Sequence, residues 1–370
     1  MLPAEPGPAP DRPVRNRKIR RFLWRAAVAL VALAAALTLA SFAYNLATDG
    51  RVRRPTGLRM ISGGGFDTRY LAWGTNGSPI VLVPGAFETA DTFADLGPEL
   101  GTRHRVFAID LTGTGYSAPS PPYDARHLAV QLLAFLRAMH LTGANTPVLV
   151  GHSSGAAVVG MAVLQDRQAA AGIVFLDGDA TPLPSSSLVG WLLINPYRTT
   201  LARLVIRSDW LIRRIYQSQC GPACPPLSAA GVQTWRRPLQ QPGFLDVVAY
   251  NLRHGIPSMS GTQLRELRAV AVPKVVIYGR NDPQLSSSDA AAAAARIGAP
   301  PPAAVPGRHL TMISSPRQLA AAINAFVGSP SSRISTSVSG RSPNVADRLL
   351  TAWIAGLARH SLLSVQGGPP

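Results

Sequence analysis

Ser153 lies in a segment whose residue types can carry out acyl transfer. It is the centre of "GHSSG", Gly151-His152-Ser153-Ser154-Gly155, which follows the apolar run "PVLV" and precedes small residues. A serine in this context occupies a sharp strand-to-helix turn, and the flanking glycines avoid a steric collision there. The pattern predicts Ser153 as a nucleophile at a nucleophile elbow. The alternative is an ordinary glycine–serine loop.

A serine hydroxyl needs a base to take its proton and an acid to orient that base. Asp282 follows the apolar run "KVVIYG", and His309 follows the weaker run "PAAVPG", so both lie where a strand ends. The chain order serine, acid, histidine agrees with this kind of elbow. We therefore predict Asp282 as the acid and His309 as the base. Asp177 and Asp179, after the preceding strand, are rival acids.

Chemistry at a carbonyl also needs N–H donors for the oxyanion that develops. One predicted donor is the backbone N–H of Ser154, the residue after the nucleophile. The second is expected from Ala86 or Phe87, in the loop after "IVLVPG". Pro84 has no N–H and cannot serve.

Apolar runs must form the scaffold that brings these residues together. Continuous hydrophobicity is typical of strands covered on both faces. The runs lie at 80–85, 105–110, 147–152, 172–178, 274–279 and 302–307, after an opening hairpin at 58–62 and 69–74 parted by "GGGFDT". Helical patterns between them, such as 123–141, predict a doubly wound, mostly parallel α/β sheet.

The interval from about 180 to 265 breaks this alternation, because it places a long stretch between two strands. Segments within it, such as 199–216, have a helical pattern. Insertions of this length commonly form lids, so we predict a helical cap. Its basic face either lies on anionic lipid headgroups or is simply solvated.

Four motifs occur in the order found in the serine-nucleophile branch of the α/β-hydrolase superfamily, which is esterase/lipase-like. They are "LVPGAF", "AIDLTGTGYS", "GHSSG", and "GRNDP" with "GRH". The stretch from about 57 to 327 resembles this family, with the insertion as its variable cap. The resemblance implies an acyl-enzyme that water resolves. Pro84 stands where the family usually has a histidine.

The N-terminus carries a membrane signal. Residues 1–25 end in a strongly basic stretch, and the uncharged stretch that follows, predicted at 26–46, is about long enough to span a bilayer. Positive charge stays on the cytoplasmic side, so we predict a single-pass signal anchor with the catalytic domain outside the cytoplasm. The alternative is a signal peptide cleaved after "SFA" at 41–43, which gives a secreted protein.

Two cysteines, Cys220 and Cys224, lie in "CGPAC". Outside the cytoplasm so close a pair can form a disulfide, and a free or redox-active pair is the alternative. Two ligands without a histidine cluster predict no structural metal site.

The net charge of +17 raises the question of nucleic-acid binding. No basic stripe interleaved with aromatic residues occurs, and arginine supplies every basic residue except Lys18 and Lys274, so no nucleic-acid partner is predicted.

The end of the chain changes composition. The stretch 328–343 is predicted as a flexible linker, and 344–364 as an amphipathic helix that packs on the domain or lies on a membrane.

The resulting hypothesis is a membrane-anchored serine hydrolase that cleaves a small acyl ester or a lipid, with no cofactor. Hydrolysis of another acyl or carbon–carbon bond, or acyl transfer, would use the same triad. Rivals from other classes are a non-catalytic protein of the same fold that binds a lipid or partner, and a basic membrane-surface binding module. No oligomeric state is predicted.

Overall fold

The structure, a computed structural model, describes residues 12–49, 52, 54–182 and 194–329. The predicted C-terminal amphipathic helix and nearly all of the predicted linker lie outside these ranges. The described residues divide into two compact units. One contains the residues up to 49 together with 194–203, and the other contains the rest.

The first unit is dominated by helix α1, Arg12–Ala47. Its segment Ile19–Ala47 contains an 18-residue window with a mean hydropathy of 2.3 and is long and apolar enough to cross a membrane, as an anchor or as a signal sequence. The predicted span at 26–46 lies within it. The unit also contains the start of the helix that begins at Tyr197. The hydroxyl groups of Thr38 in α1 and Tyr197 in this helix are hydrogen-bonded at 2.5 Å.

The second unit is built on a twisted sheet, which among the described residues has eight strands in the order β1-β2-β4-β3-β5-β6-β7-β8. The first two strands pair antiparallel, β2 also runs antiparallel to β4, and the other neighbours are parallel. The strands are β1 Arg59–Gly63, β2 Phe66–Trp73, β3 Pro79–Val83, β4 Arg105–Ile109, β5 Val148–His152, β6 Gly172–Leu176, β7 Lys274–Gly279 and β8 Ala303–Val305. The predicted mostly parallel α/β sheet is confirmed.

The opening hairpin turns more tightly than predicted. Its turn contains only Gly64 and Gly65, both with positive φ, instead of the six residues "GGGFDT". Two consecutive residues with positive φ form a two-residue hairpin turn whose twist matches the strands. Strand β2 therefore begins at Phe66, three residues earlier than predicted.

The inner strands β3, β5 and β6 are buried along their whole length because both faces of the sheet are covered there. In β3, Ile80 and Leu82 contribute to one core cluster, whereas Val81 and Val83 contribute to the other. All four side chains are fully buried. Alternate residues of a strand point to opposite faces, so a continuous apolar run is required here.

Helices cover the two faces. The helices that flank the strands are α2 Leu96–Gly101, α3 Ala125–Ala138 and α4 Gly155–Gln165, and 3-10 turns occur at Ala90–Phe93 and Gly143–Asn145. Side chains of α3 and α4 fill one core, and side chains of α2 fill the other.

Five helices lie in the described part of the insertion between β6 and β7. They are α5 Tyr197–Arg207, α6 Asp209–Cys220, α7 Ala229–Leu239, α8 Phe244–His254 and α9 Gly261–Ala269. The predicted helical stretch 199–216 is divided at Ser208, whose hydroxyl accepts a hydrogen bond from the N–H of Leu211 and caps α6. The final helices of the fold are α10 Ser287–Ile297, α11 Thr311–Ser314 and α12 Pro316–Gly328.

Candidate active site

Ser153 stands on a strained turn between β5 and α4. Its φ is 51°, and its N–H donates a hydrogen bond to the carbonyl of Leu176 at 2.8 Å. A Cβ on Gly151 would lie 2.3 Å from the carbonyl oxygen of Gly155, and one on Gly155 would lie 2.6 Å from that of Pro84. Both positions therefore require glycine. The local sequence thus forces the serine into a left-handed conformation that is uncommon outside glycine and marks functional sites.

His309 and Asp282 meet beside this turn. His309 follows β8 and Asp282 follows β7, and Nδ1 of the imidazole lies 2.8 Å from Oδ2 of the carboxylate. Both side chains are buried, with 6% and 0% of their surface exposed. A carboxylate accepting from Nδ1–H leaves Nε2 of the neutral ring free to accept a proton. This is the protonation state that a general base needs.

His309 lies near the elbow without a hydrogen bond to its serine. The ring centroids of His152 and His309 are 4.8 Å apart, and His152 directly precedes Ser153. Among the described residues, the Ser153 hydroxyl has no hydrogen-bond partner. In ligand-free enzymes catalytic hydrogen bonds are often long and tighten in the substrate complex.

The rival acids have other partners. The two oxygens of Asp177 accept hydrogen bonds from the Gly279 N–H and the Thr311 hydroxyl. Burial, the largest cause, raises the pKa of Asp177 to about 7. Asp179 binds Arg296 at 3.3 Å. Among the described carboxylates, Asp282 is the one hydrogen-bonded to the ring of His309.

The loop after β3 approaches the nucleophile closely. A Cβ on Gly85 would lie 2.9 Å from Cβ of Ser153. The backbone N–H groups of Ala86, Phe87 and Ser154 have no acceptor in the described part of the chain. No described acceptor competes for these donors, and their role in binding an oxyanion stays a prediction.

Phe87 links this loop to the cap. Its φ is 64°, and its ring packs edge-on against Phe244 of α8, with centroids 5.9 Å apart. The cap thus contacts the loop that carries two of the predicted oxyanion donors.

Sequence analysis missed Glu88. Its carboxylate accepts hydrogen bonds from Nδ1 of His152 at 2.7 Å and from the N–H of Gly85 at 3.0 Å. The second ring nitrogen of His152 lies 2.8 Å from the carbonyl oxygen of His309. A histidine buried at the elbow needs hydrogen-bond partners for its two ring nitrogens. The presence of His152 in the motif could therefore have indicated that a polar partner lies nearby.

The motif "AIDLTGTGYS" has a structural role. Asp110 accepts hydrogen bonds from the N–H groups of Ala90 and Tyr116, both at 2.7 Å. A Cβ on Gly115 would lie 2.2 Å from the Asp110 carboxylate, and φ there is 59°. The turn therefore joins β4 to Ala90, which follows the loop after β3.

Helix α6 of the cap contacts the loop that contains His309. Cys220, its last residue, is joined to Cys224 by a disulfide. The carbonyl of Gln219 accepts from the N–H of Leu310, and that of Ser218 accepts from the Arg308 guanidinium. These bonds fix the residues on either side of His309.

No group of three or more metal-ligating side chains suited to an ion occurs in the residues that the structure describes.

Residues 80–322 match the model of the alpha/beta hydrolase family. N-formylmaleamate deformylase of Pseudomonas putida is 29% identical over 119 residues, which are 32% of this chain and 43% of that protein. The match thus spans less than half of that relative's length.

Two solved structures share the fold. A serine hydrolase involved in carbazole degradation, CarC, has a TM-score of 0.60 at 20% identity, over 73% of this chain and 98% of its own. A membrane phospholipase A, described as a bacterial virulence factor, has a TM-score of 0.59 at 18% identity, over 83% of this chain and 98% of its own. With the family match covering most of its length, the chain belongs to the alpha/beta hydrolase family.

Proposed function

We propose that this protein is a membrane-anchored serine hydrolase that cleaves a carboxylic ester. The observation that carries the proposal is the 2.8 Å hydrogen bond between Asp282 and His309 beside the strained elbow of Ser153. Helix α1 supplies the anchor, and the catalytic domain lies outside the cytoplasm. The substrate is an acyl ester or a lipid, and no cofactor takes part.

The first half-reaction forms an acyl-enzyme. The Ser153 oxygen attacks the acyl carbon while Nε2 of His309 takes its proton. The N–H groups of Ser154 and of Ala86 or Phe87 donate to the oxyanion of the tetrahedral intermediate. The C–O bond to the alcohol then breaks, and His309 returns the proton to the leaving oxygen.

The second half-reaction uses water. His309 takes a proton from the water as its oxygen attacks the acyl carbon. The bond to Ser153 breaks, the proton passes to the serine oxygen, and a carboxylic acid leaves. Asp282 stabilises the imidazolium that forms in each half.

A fluorophosphonate probe tests the proposal, because it forms a covalent bond only with an activated serine. The full chain in detergent should be labelled, Ser153→Ala should not, and the exposed Ser288→Ala on α10 serves as the matched control. Hydrolysis of p-nitrophenyl esters with short and long acyl chains should disappear with the label. A folded wild-type protein that takes no label refutes the proposal and favours a non-catalytic, lipid-binding role.

A further inference from the structure

A buried ion pair joins Glu88 to His152, the residue that directly precedes the proposed nucleophile. The side chain of His152 has 0% of its surface exposed and that of Glu88 has 12%. The two ring nitrogens of His152 both face acceptors, the Glu88 carboxylate at 2.7 Å and the carbonyl oxygen of His309 at 2.8 Å. Only the imidazolium form has a proton on each nitrogen, so it alone satisfies both acceptors.

The pair joins three separate parts of the site. His152 precedes the nucleophile at the end of β5, and the carbonyl that it binds belongs to the base. Glu88 lies in the loop after β3 and also accepts from the N–H of Gly85, so it tethers the oxyanion loop to the same ring. A shift of His152 would therefore displace the base and the oxyanion donors relative to Ser153.

We propose that His152 and Glu88 are positioning residues that fix the relative positions of the nucleophile, the base and the oxyanion loop. The proposal rests on the proposed function. In the described part of the chain, neither side chain has a hydrogen bond to the Ser153 hydroxyl or to the His309 ring. They act through the backbone of the His309 loop and through the loop of Gly85.

The negative charge of Glu88 also allows His309 to become positively charged next to the His152 imidazolium. The His309 ring becomes positively charged during the reaction, and the His152 ring lies 4.8 Å away. Two neighbouring cations repel each other, and the Glu88 carboxylate offsets this repulsion. Among the residues that the structure describes, the other ionisable groups facing these rings are Asp177, 3.9 Å from His152, and Asp282, hydrogen-bonded to His309.

The pair should give the activity a distinctive pH dependence. Burial disfavours the charged form of His152, but the charge of Glu88, with smaller contributions from Asp177 and the His309 carbonyl, raises its pKa to about 9. The imidazolium is therefore complete at neutral pH and is lost as the pH rises through about 9. Without the Glu88 charge, this loss should occur at lower pH.

The test compares Glu88→Gln and His152→Gln with wild type, as full chains in detergent, on p-nitrophenyl acetate from pH 6 to 10. Displacement of catalytic groups by a fraction of an ångström to an ångström should lower kcat about 10- to 100-fold. KM should change little, since the ester-binding surface is retained. The loss for Glu88→Gln should be greater at pH 8 to 9 than at pH 6, and wild-type kcat should itself fall above about pH 9.

His104→Gln is the matched control. His104 is also a buried histidine with a hydrogen bond, 3.0 Å from Asn324, but it lies before β4. It should keep wild-type kcat at every pH, whatever its thermal stability. A merely structural role for the pair would give a loss of activity that is the same at every pH.

Two results would overturn the inference. One is Glu88→Gln with wild-type kcat and pH profile. The other, which needs no variant, is a folded wild-type protein whose kcat does not fall between pH 8 and 10. Failure of the proposed function itself is distinguishable, because wild type would then lack turnover that depends on Ser153.

Discussion

Replacement of Asp282 by asparagine tests the proposed catalytic triad most directly. The carboxylate accepts from Nδ1 of His309 at 2.8 Å, with neither side chain appreciably exposed. An amide of the same shape removes the negative charge and offers a donor as readily as an acceptor. The ring can then take the tautomer with its proton on Nε2, which cannot accept the proton of Ser153.

The magnitude follows from the distance. Opposite unit charges 2.8 Å apart attract by about 6 kcal/mol at an effective dielectric constant of about 20. This attraction exists only when His309 is protonated, which occurs in the transition state, so its loss lowers kcat by about 10⁴-fold. KM should stay near the wild-type value, because the interaction is absent in the ground state.

Asp177→Asn is the matched control for this measurement. An asparagine there can keep both hydrogen bonds, to Gly279 and Thr311, and the wild-type carboxyl with its pKa of about 7 is already partly neutral at pH 7. Initial rates on p-nitrophenyl acetate at pH 7.5, with circular dichroism for folding, should show a loss below about 10-fold. A larger loss in Asp177→Asn than in Asp282→Asn would refute the assignment of the acid.

Two substitutions test the packing around the site. Gly85→Ala puts a Cβ 2.9 Å from that of Ser153, so the labelling rate with the fluorophosphonate should fall at least about 10-fold. Gly261→Ala, where the nearest atom is 3.6 Å away, should label normally, and equal rates would contradict the close approach. Leu132→Ala, fully buried on α3, should lower the free energy of unfolding by about 2 to 5 kcal/mol in urea denaturation. A loss below about 1 kcal/mol would mean that the core collapses around the gap.

The inner strands of the sheet were predictable because burial on both faces makes them continuous apolar runs in the sequence. The run predicted at 274–279 coincides with β7, and most other ends differ by one or two residues. The exceptions depend on local chemistry that periodicity does not reveal. Strand β2 starts early because two glycines complete the turn, and Ser208 interrupts a continuous helical pattern by capping α6.

The part of the site that could be predicted is the part that follows from the order of residues along the chain. The order of Ser153, Asp282 and His309 led to the triad, and these assignments remain predictions until the variants are measured. Glu88 could not be found in this way, because its partner His152 is 64 residues away and meets it only when β3 and β5 pair. Long-range contacts of this kind leave no periodic pattern in the sequence.

The contact between Phe87 and Phe244 has a consequence for engineering this enzyme. A cap transplanted from another member of the family would remove the ring that packs against Phe87, because that ring belongs to Phe244 of α8. Such a chimera would change its selectivity and its turnover together. A graft designed to alter only substrate preference must carry its own version of the loop at 84–88, or keep an aromatic residue at position 244.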